Sequence, residues 1–257
     1  MQRLRPSFSA LWQGVGAQLR NPSGLSGRLS GRVMTFANAK PNTLATAALG
    51  MREGESLLEL GCGPGRALQG LLRLPHLARV IGVDWSEVML AHAARRNRRA
   101  LEAGRLVLIR GDFAKLPFID EIADAVLAVN VVYFMQSSAP VREAHRVLRP
   151  GGRIVLYATH WSTMRRWPFA GPDTHRLFDQ TGLTALLLDA GFAADWICIE
   201  RVDAGFGVLG LLAVARKEEG YCCAAAAGDA IEDDGKSCRC AQLSSTSSAN
   251  NAKYLTP

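Results

Sequence analysis

Short apolar runs alternate with segments of helical spacing along residues 53–216. The runs expected to form strands are Ser56–Leu60, Arg79–Asp84, Leu106–Arg110, Ala123–Val129, Arg153–Tyr157, Ala194–Ile199 and Val208–Ala215. The segments expected to form helices between them are Arg66–Leu72, Ser86–Ala103, Ala139–Leu148 and Gly182–Ala190. Strands that alternate with helices are typical of parallel βαβ units.

Most of the strand runs are apolar throughout instead of alternating between apolar and polar residues. Continuous apolar strands are expected where helices cover both faces of a sheet. The pattern therefore predicts an α/β fold in which a mostly parallel sheet lies between two layers of helices.

The composition excludes several classes of protein. Hydrophobic residues make up 48% of the 257 residues and charged residues 21%, which excludes a wholly disordered or fibrous chain. Six cysteines are too sparse for a disulfide-stapled scaffold. The longest uncharged stretch, residues 125–141, is shorter than the roughly 20 apolar residues of a membrane span. We therefore expect a cytoplasmic protein with no membrane span.

The net charge of +7 is unevenly distributed and suggests three regions. Residues 1–52 carry seven basic side chains and no acidic one, so we predict a basic N-terminal arm or lid at 1–51. The strand–helix pattern occupies a domain at 52–216. Residues 217–257 have few large apolar side chains, which predicts a disordered, low-complexity tail.

The first predicted strand ends in a loop with glycines at alternate positions, Gly61, Gly63 and Gly65. Such a loop permits a tight turn into a helix and lets a ligand approach bare backbone. A dinucleotide fingerprint would place its third glycine at position 66, which is Arg66. Pro64 also removes an N–H that a diphosphate would use. The loop therefore suits a nucleoside without phosphates better than a nicotinamide dinucleotide.

Polar side chains follow the next three predicted strands. Asp84 ends the second strand, 19 residues after Gly65, and Asp112 and Asn130 follow the third and fourth. An acid at the position of Asp84 can accept hydrogen bonds from ribose hydroxyls. The carboxyl ends of these strands should line one crevice, where open α/β sheets bind ligands.

Four motifs in this order resemble the class I S-adenosylmethionine-dependent methyltransferases, in particular the methyltransferase 11/25 group. The motifs are E-L-G-C-G-P-G at 59–65, V-I-G-V-D-W-S at 80–86, R-G-D-F-A-K-L-P-F at 110–118 and R-V-L-R-P-G-G at 146–152. The resemblance covers about residues 52–216. It implies a Rossmann-like, doubly wound, seven-stranded and mostly parallel sheet that ends in an antiparallel hairpin at 194–215. It also implies S-adenosylmethionine as the cofactor.

The same resemblance implies a set of cofactor-binding residues, and we expect no metal. The set is Glu59, Gly61, Cys62, Gly63, Gly65, Asp84, Trp85, Asp112, Phe113 and Asn130. Glu59 would orient the methionine ammonium, and Asp84 would bind the ribose. Trp85, Asp112 and the backbone of Phe113 would contact the adenine. Cys62 is interpreted as a small filler, because no His or Asp pattern marks it as a nucleophile.

The residues identify the methyl donor better than the acceptor. We expect transfer to a small-molecule acceptor, yielding S-adenosylhomocysteine and driven mainly by proximity. Candidate bases are Tyr133, at N-x-x-Y spacing from Asn130, and His160, after the fifth strand. The N-terminal arm and an insertion at His160–Phe178 are expected to cover the acceptor.

Other functions remain open at this point. The basic arm could bind the substrate of an RNA or protein methyltransferase. The sequence contains no RNA-binding module and no aromatic-rich basic strip, so nucleic acid is not expected as a partner. A non-catalytic protein that binds S-adenosylmethionine is a further alternative, and a nicotinamide-dependent oxidoreductase is the least compatible with the loop. We expect a monomer or a homodimer.

Overall fold

The computed structural model describes residues 38–170 and 175–219. Most of the predicted N-terminal arm and the predicted disorder of the tail from residue 220 onward lie outside the described residues. Within the described ranges, no helix is long and apolar enough to cross a membrane.

Seven strands form one sheet in the order β3-β2-β1-β4-β5-β7-β6. The strands are β1 (Ser56–Leu60), β2 (Arg79–Asp84), β3 (Leu106–Arg110), β4 (Ala123–Val129), β5 (Leu148–Thr159), β6 (Ile197–Asp203) and β7 (Leu209–Arg216). β3, β2, β1, β4 and β5 are parallel, whereas β7 is antiparallel to both β5 and β6. The predicted fold class, including the terminal hairpin, is confirmed.

Helices cover both faces of this sheet. They are α1 (Ala39–Leu49), α2 (Arg66–Leu71), α3 (Glu87–Arg96), α4 (Arg98–Glu102), α5 (Ala139–Val147), α6 (Trp161–Met164) and α7 (Gln180–Asp189), with 3₁₀ turns at Val132–Phe134 and Ala194–Trp196. Neighbouring residues of one strand enter opposite cores: Leu57 packs in the core under α1 and α2, and Leu58 in the core under α5 and α7. This two-sided burial explains why the strand runs are apolar throughout.

Three predicted elements differ from the structure by more than two residues or by a break, and the other differences are of one or two residues at an end. β5 is longer than expected and extends from Leu148 to Thr159. Residues 194–196 form a 3₁₀ turn, so β6 begins at Ile197. The single helix expected at 86–103 is divided at Asn97, whose side chain donates to the Ala93 carbonyl at 3.0 Å. An asparagine side chain that binds the preceding turn competes with the helical backbone hydrogen bonds.

Helix α1 lies inside the region assigned to the N-terminal arm, and the sequence pattern did not predict it. Ala45 and Leu49 are fully buried against the sheet. The predicted domain boundary at residue 52 stays a prediction, but α1 contributes to the same core as β1 and β4.

A buried arginine in β5 holds the end of α1 and the start of β1 in place. The Arg153 guanidinium donates to the carbonyls of Leu49 and Gly50 and forms an ion pair of 2.7 Å with Glu55. Burial alone would raise the pKa of Glu55, but hydrogen bonds from Arg153 and from the Arg52 N–H lower it below its ordinary value. The carboxylate therefore stabilises the fold where it is ionised.

We expect Glu55→Ala to lower the free energy of unfolding by about 3 kcal/mol at neutral pH, because it leaves the buried Arg153 without its carboxylate. The difference from the parent should shrink as the pH falls below about 4.5, the ordinary value of the Glu55 pKa, as the native carboxylate becomes protonated. Denaturant titrations across this pH range would measure both effects. Glu53→Ala, at an exposed position two residues away, is the matched control and should change little.

Candidate functional site

The loop after β1 is built from residues in the left-handed region of backbone space. Gly61, Gly63 and Gly65 have φ of +67°, +50° and +74°. A Cβ at Gly61 would also lie 2.5 Å from a methyl group of Val131. Such a clash and the positive φ both exclude larger residues. The alternate glycines found in the sequence are therefore required by the turn.

Asn97 fixes the far end of this loop. Its side-chain amide donates to the Gly65 carbonyl at 3.0 Å as well as to Ala93. A Cβ at Gly65 would lie 2.7 Å from the Asn97 amide nitrogen and 2.9 Å from the Cα of Ala93. Helix α3 thus packs directly against the glycine backbone. Sequence reasoning did not identify Asn97, because the pattern predicted one continuous helix through this position.

Asp84 joins the loop to the end of β2. One carboxylate oxygen accepts from the Gly63 N–H and the other from the Ser86 N–H, each at 2.9 Å. The side chain is buried, and burial raises its pKa while the backbone N–H groups lower it in part. The Trp85 N–H also bonds this carboxylate, and since a carboxylate has about four acceptor positions, it can still accept from a ligand.

Glu59 is buried in the wall beside this loop. Among the described residues, its Oε2 atom has no hydrogen-bond partner. Burial and the nearby charge of Asp84 raise its pKa well above the ordinary value of a glutamate. A buried carboxyl that lacks a partner is costly unless a donor or cation meets it.

Burial and these two acids also raise the pKa of the Cys62 thiol well above its ordinary value. The thiol therefore remains protonated at neutral pH, and it occupies space beside Gly82 as a small side chain.

Two aromatic rings flank the next part of the site. The rings of Trp85 and Phe113 are stacked with centroids 6.3 Å apart and planes 25° from parallel. Beside them, the Asp112 carboxylate accepts from the Ala114 N–H at 2.9 Å, which fixes its orientation at the end of β3. These rings offer flat apolar surfaces next to a hydrogen-bond acceptor.

Asn130 turns the chain sharply at the end of β4. Its φ of +56° is a conformation that asparagine tolerates better than most residues. Its amide donates to the Asn38 side chain at 2.7 Å, and its oxygen accepts from the Tyr133 hydroxyl. Asn38 brings the start of α1 into the site, and it belongs to the N-terminal arm that was expected from the sequence to cover the acceptor.

These residues meet around one pocket of about 270 Å³. The predicted site residues that line it are Glu59, Gly61, Cys62, Gly63, Asp84, Trp85, Asp112, Phe113 and Asn130. Gly65 lies behind the loop, against α3. Much of the remaining wall is formed by two residues of the predicted N-terminal arm and by residues of the sheet, helices and loops: Asn38, Asn42, Arg66, Met89, Val129, Val131, Phe134, Met135, Gln136, Ser137 and Pro140.

The two candidate bases lie outside this lining. Tyr133 is buried, and its hydroxyl accepts from the Thr159 N–H at 3.1 Å while donating to Asn130. Burial raises its pKa above that of a free tyrosine. His160 caps helix α6, with its Nδ1 bonded to Ser162, and burial lowers its pKa.

The described part of the predicted insertion packs against Phe134, a residue of the pocket wall. The His175 ring lies 5.0 Å from the Phe134 ring and 5.9 Å from the Tyr133 ring, measured between centroids. Residues 171–174 of the insertion lie outside the described residues.

Comparison with known proteins identifies the family. The family model described as a methyltransferase domain matches residues 58–156. The uncharacterized methyltransferase YdaC of Bacillus subtilis is 30% identical over 129 residues, which cover 50% of this chain and 69% of YdaC. The chain belongs to the S-adenosylmethionine-dependent methyltransferases. The predicted family and cofactor are confirmed.

This methyltransferase is also similar to other curated methyltransferases and to solved structures. It is 36% identical over 110 residues to the ubiquinone/menaquinone biosynthesis C-methyltransferase UbiE of Paracoccus denitrificans, covering 42% of this chain and 44% of UbiE. A methyltransferase solved in complex with the Trm112 activator of Haloferax volcanii shares its fold, with a TM-score of 0.62, 21% identity and coverage of 80% and 97%. Apart from YdaC, the chain spans less than half the length of the first curated relatives it matches.

The methyltransferase pocket fits this cofactor on structural grounds. S-adenosylmethionine carries an ammonium and a sulfonium charge, and the buried Oε2 of Glu59 is an acceptor that lacks a partner among the described residues. Bare glycine backbone lies beside it, so a ligand can approach closely.

We expect Gly65→Ala to destabilise the protein by about 3 kcal/mol, because the energetic cost of an alanine in the left-handed conformation adds to the cost of an overpacked contact with Ala93. Gly54→Ala is the matched control, since Gly54 has a φ of +77° but nothing within 4 Å of the added Cβ. It should lose only about 1 kcal/mol for the backbone conformation. Chemical denaturation would compare the two, and equal losses would contradict the packing role given to Asn97 and Ala93.

Proposed function

We propose that this methyltransferase transfers a methyl group from S-adenosylmethionine to a small, largely apolar acceptor at a carbon or nitrogen atom. The observation that carries the proposal is the buried Glu59 carboxyl in the wall of the pocket beside the glycine loop, because its Oε2 has no partner among the described residues. When bound, S-adenosylmethionine supplies a methyl group activated by the positive charge on its sulfur.

The cofactor roles proposed for the pocket residues follow from their positions. Glu59 binds the methionine ammonium, for which its Oε2 is free within the described structure. Asp84, already oriented by Gly63 and Ser86, accepts from the ribose hydroxyls. Trp85, Phe113 and Asp112 surround the adenine, supplying two flat surfaces and an acceptor.

The acceptor class is inferred from what borders the rest of the pocket. Beyond Asn130 the wall is mainly apolar and includes Val131, Phe134, Met135 and Pro140. Such a wall buries an apolar molecule favourably, at roughly 25 cal/mol per Å². UbiE, whose name refers to quinone biosynthesis, supports an apolar acceptor as well.

The attacked atom is inferred from the placement of the candidate bases. The hydroxyl of Tyr133 is engaged by Asn130 and Thr159, and His160 acts as a helix cap. Transfer to a hydroxyl group usually needs a base, whereas an amine or an activated carbon can react once it is held in line. Positioning alone can remove about 7–11 kcal/mol of the barrier.

We expect Glu59→Gln to weaken binding of S-adenosylhomocysteine about 10–100-fold, as for loss of a hydrogen bond to a charged group. The same change should stabilise the ligand-free protein at neutral pH. The folded state holds the Glu59 proton more tightly than the unfolded chain does, so the free energy of unfolding of the parent falls as the pH rises above about 4.5. The glutamine side chain of the variant does not ionise, so the variant does not lose this stability. Isothermal titration calorimetry and denaturant unfolding measure the two effects.

Glu200→Gln, at an exposed position on β6, is the control for the change of charge and should alter neither quantity. Unchanged binding by the Glu59 variant would overturn the role given to this residue. A parent protein that binds neither S-adenosylmethionine nor S-adenosylhomocysteine would overturn the proposed function.

The acceptor class can be tested with S-adenosylmethionine carrying a labelled methyl group. The protein is incubated with a cell extract, which is then separated into an organic-solvent fraction, protein and RNA. We expect the label in the organic-solvent fraction. Label in RNA or protein would show a macromolecular acceptor and contradict the proposal.

A further inference from the structure

A row of hydrogen bonds runs from the end of β5 to the start of α1 and ends at the wall of the pocket. The Thr159 N–H donates to the Tyr133 hydroxyl oxygen at 3.1 Å, and the Tyr133 hydroxyl donates to the side-chain oxygen of Asn130. The Asn130 amide nitrogen then donates to the side-chain oxygen of Asn38 at 2.7 Å. The row therefore connects the backbone of the sheet with a side chain that borders the ligand.

The first donor sets the direction of every bond in the row. A backbone N–H can only donate, so the Thr159 N–H occupies a lone pair of the Tyr133 oxygen. The Tyr133 proton is directed to Oδ1 of Asn130, because the other nearby oxygen, Oγ1 of Thr159, is 3.4 Å away. Asn130 is left with its Nδ2 as a donor, and Asn38 meets that donor with its Oδ1.

Asn38 consequently has a donor to spare at the wall of the pocket. Its Oδ1 is occupied by Asn130, and its Nδ2 has no hydrogen-bond partner among the described residues. An asparagine just before a helix ordinarily accepts from the first N–H groups of that helix. Asn38 makes no such bond with α1. Its side chain is thus held by Asn130 at the pocket instead of by the helix that follows it.

The row of hydrogen bonds lies away from the residues assigned to the nucleoside. Strand β1 separates β2, which ends at Asp84, from β4, which is followed by Asn130. The ribose and the adenine are assigned to the ends of β2 and β3. Asn38 is bonded to Asn130, and the apolar wall continues from there through Val131 and Phe134. The Asn38 donor is therefore placed to meet the methyl acceptor.

The carboxylate of the methionine group of the cofactor has a better partner elsewhere in the pocket. Arg66 is the one cation among the described residues that line it, and it begins α2 directly after the glycine loop. A guanidinium group matches the two oxygens of a carboxylate in both charge and geometry. This assignment leaves the Asn38 donor for the acceptor.

We propose that Asn38 determines the acceptor specificity of this methyltransferase, by donating from Nδ2 to the oxygen of an enolate that is methylated on carbon. The inference rests on the proposed function and narrows its acceptor class. The acceptor is an enolate stabilised by a second carbonyl group, which loses its proton to water without a base from the protein. Its negative charge is shared between the oxygen, which binds Asn38, and the carbon, which attacks the methyl group.

The transfer step needs no proton. The electron pair of the enolate forms the new carbon–carbon bond, and the oxygen becomes a carbonyl. The bond between the methyl carbon and sulfur breaks, and its electron pair stays on the sulfur. The negative enolate and the positive sulfonium thus become a methylated ketone and the uncharged sulfur of S-adenosylhomocysteine. This balance agrees with the position of Tyr133 and His160 outside the pocket lining.

An amine acceptor matches this wall less well. The lone pair of a reacting amine points at the methyl group, so only N–H groups remain to face Asn38. Two donors would then meet without an acceptor between them, whereas an enolate oxygen accepts from Nδ2. The fixed direction of the row therefore favours an oxygen at this point.

The position of the transferred methyl group tests the acceptor class. The full chain is incubated with S-adenosylmethionine carrying a labelled methyl group and with the organic-solvent fraction of a cell extract, and NMR locates the label in the product. We expect the methyl group on a carbon next to a carbonyl. A methyl group on nitrogen, or on a carbon without a neighbouring carbonyl, overturns this inference and leaves the proposed function standing. Absence of label from this fraction overturns both.

Asn38→Ala tests the residue by removing the donor without adding a charge. Rates over serial dilutions of the same organic-solvent fraction give the KM of the acceptor in units of dilution. We expect this KM to rise about 10–100-fold, as for loss of a hydrogen bond to a charged group. The maximal rate should stay within about threefold of the parent, because the enolate oxygen loses charge as the new bond forms and the hydrogen bond is no stronger in the transition state.

Asn38→Asp is a second variant of nearly the same size. It keeps an oxygen for Asn130 and replaces the spare donor with an acceptor, so the KM should rise at least as much as in Asn38→Ala. Thr43→Ala, at an exposed position on the same helix, is the matched control and should change neither the KM nor the maximal rate. Thermal unfolding of every variant verifies that the fold is intact.

Asn130→Asp tests whether the row positions Asn38. An aspartate accepts from both Tyr133 and Asn38, so the Asn38 amide would turn and place its oxygen toward the acceptor. The KM should rise about tenfold or more. Combining Asn130→Asp with Asn38→Ala should raise the KM no further than Asn38→Ala alone, because the positioning residue acts through Asn38. Effects that multiply would assign the loss to the added charge and overturn the positioning role.

Calorimetry with S-adenosylhomocysteine separates the acceptor from the cofactor. We expect Asn38→Ala to bind S-adenosylhomocysteine within about threefold of the parent. A loss as large as that in the acceptor KM would assign the Asn38 amide to the methionine carboxylate and overturn the inference. An acceptor KM that is unchanged in both Asn38 variants would overturn it as well, with the proposed function unaffected.

Discussion

The hydrogen bond from the Gly63 N–H to the Asp84 carboxylate joins the loop after β1 to the end of the neighbouring strand β2. It places a tight glycine loop, a buried acid and the start of α3 within one small volume. Burial raises the pKa of neighbouring Glu59, and the charge of Asp84, which is itself buried and little screened, raises it further. The two acids of the site are therefore held close together at the edge of the sheet.

This arrangement is maintained at a cost in stability. Glu59 has a buried oxygen without a partner in the described structure, and Asn130, which is not a glycine, holds a positive φ. The surrounding structure compensates with contacts that have no chemical role, such as the Asn97 amide on Gly65 and the Arg153 ion pair with Glu55. Strain and desolvation concentrated at a site and balanced elsewhere are common where a protein must be complementary to a ligand.

The two ends of the pocket have different structural origins. Glu59, Asp84 and Asp112 follow directly from strand ends of the shared α/β sheet. The opposite wall combines the start of α1, through Asn38, with the segment after β4, through Val131 and Phe134. Connecting segments such as the one after β4 generally differ more between proteins of one fold than the strands do.

The sequence by itself determined the α/β class, the bounds of β1 to β4 and most of the side chains that line the glycine-loop end of the pocket. It could do so because continuous apolar runs, alternate glycines and acids at strand ends are local signals. Only the tertiary structure decided that α1 joins the core, that Asn97 divides a helix to hold Gly65, and that Tyr133 and His160 lie outside the pocket lining. These outcomes depend on contacts between residues distant in the chain, as between Asn38 and Asn130, and no local pattern encodes which distant partner a polar side chain will meet.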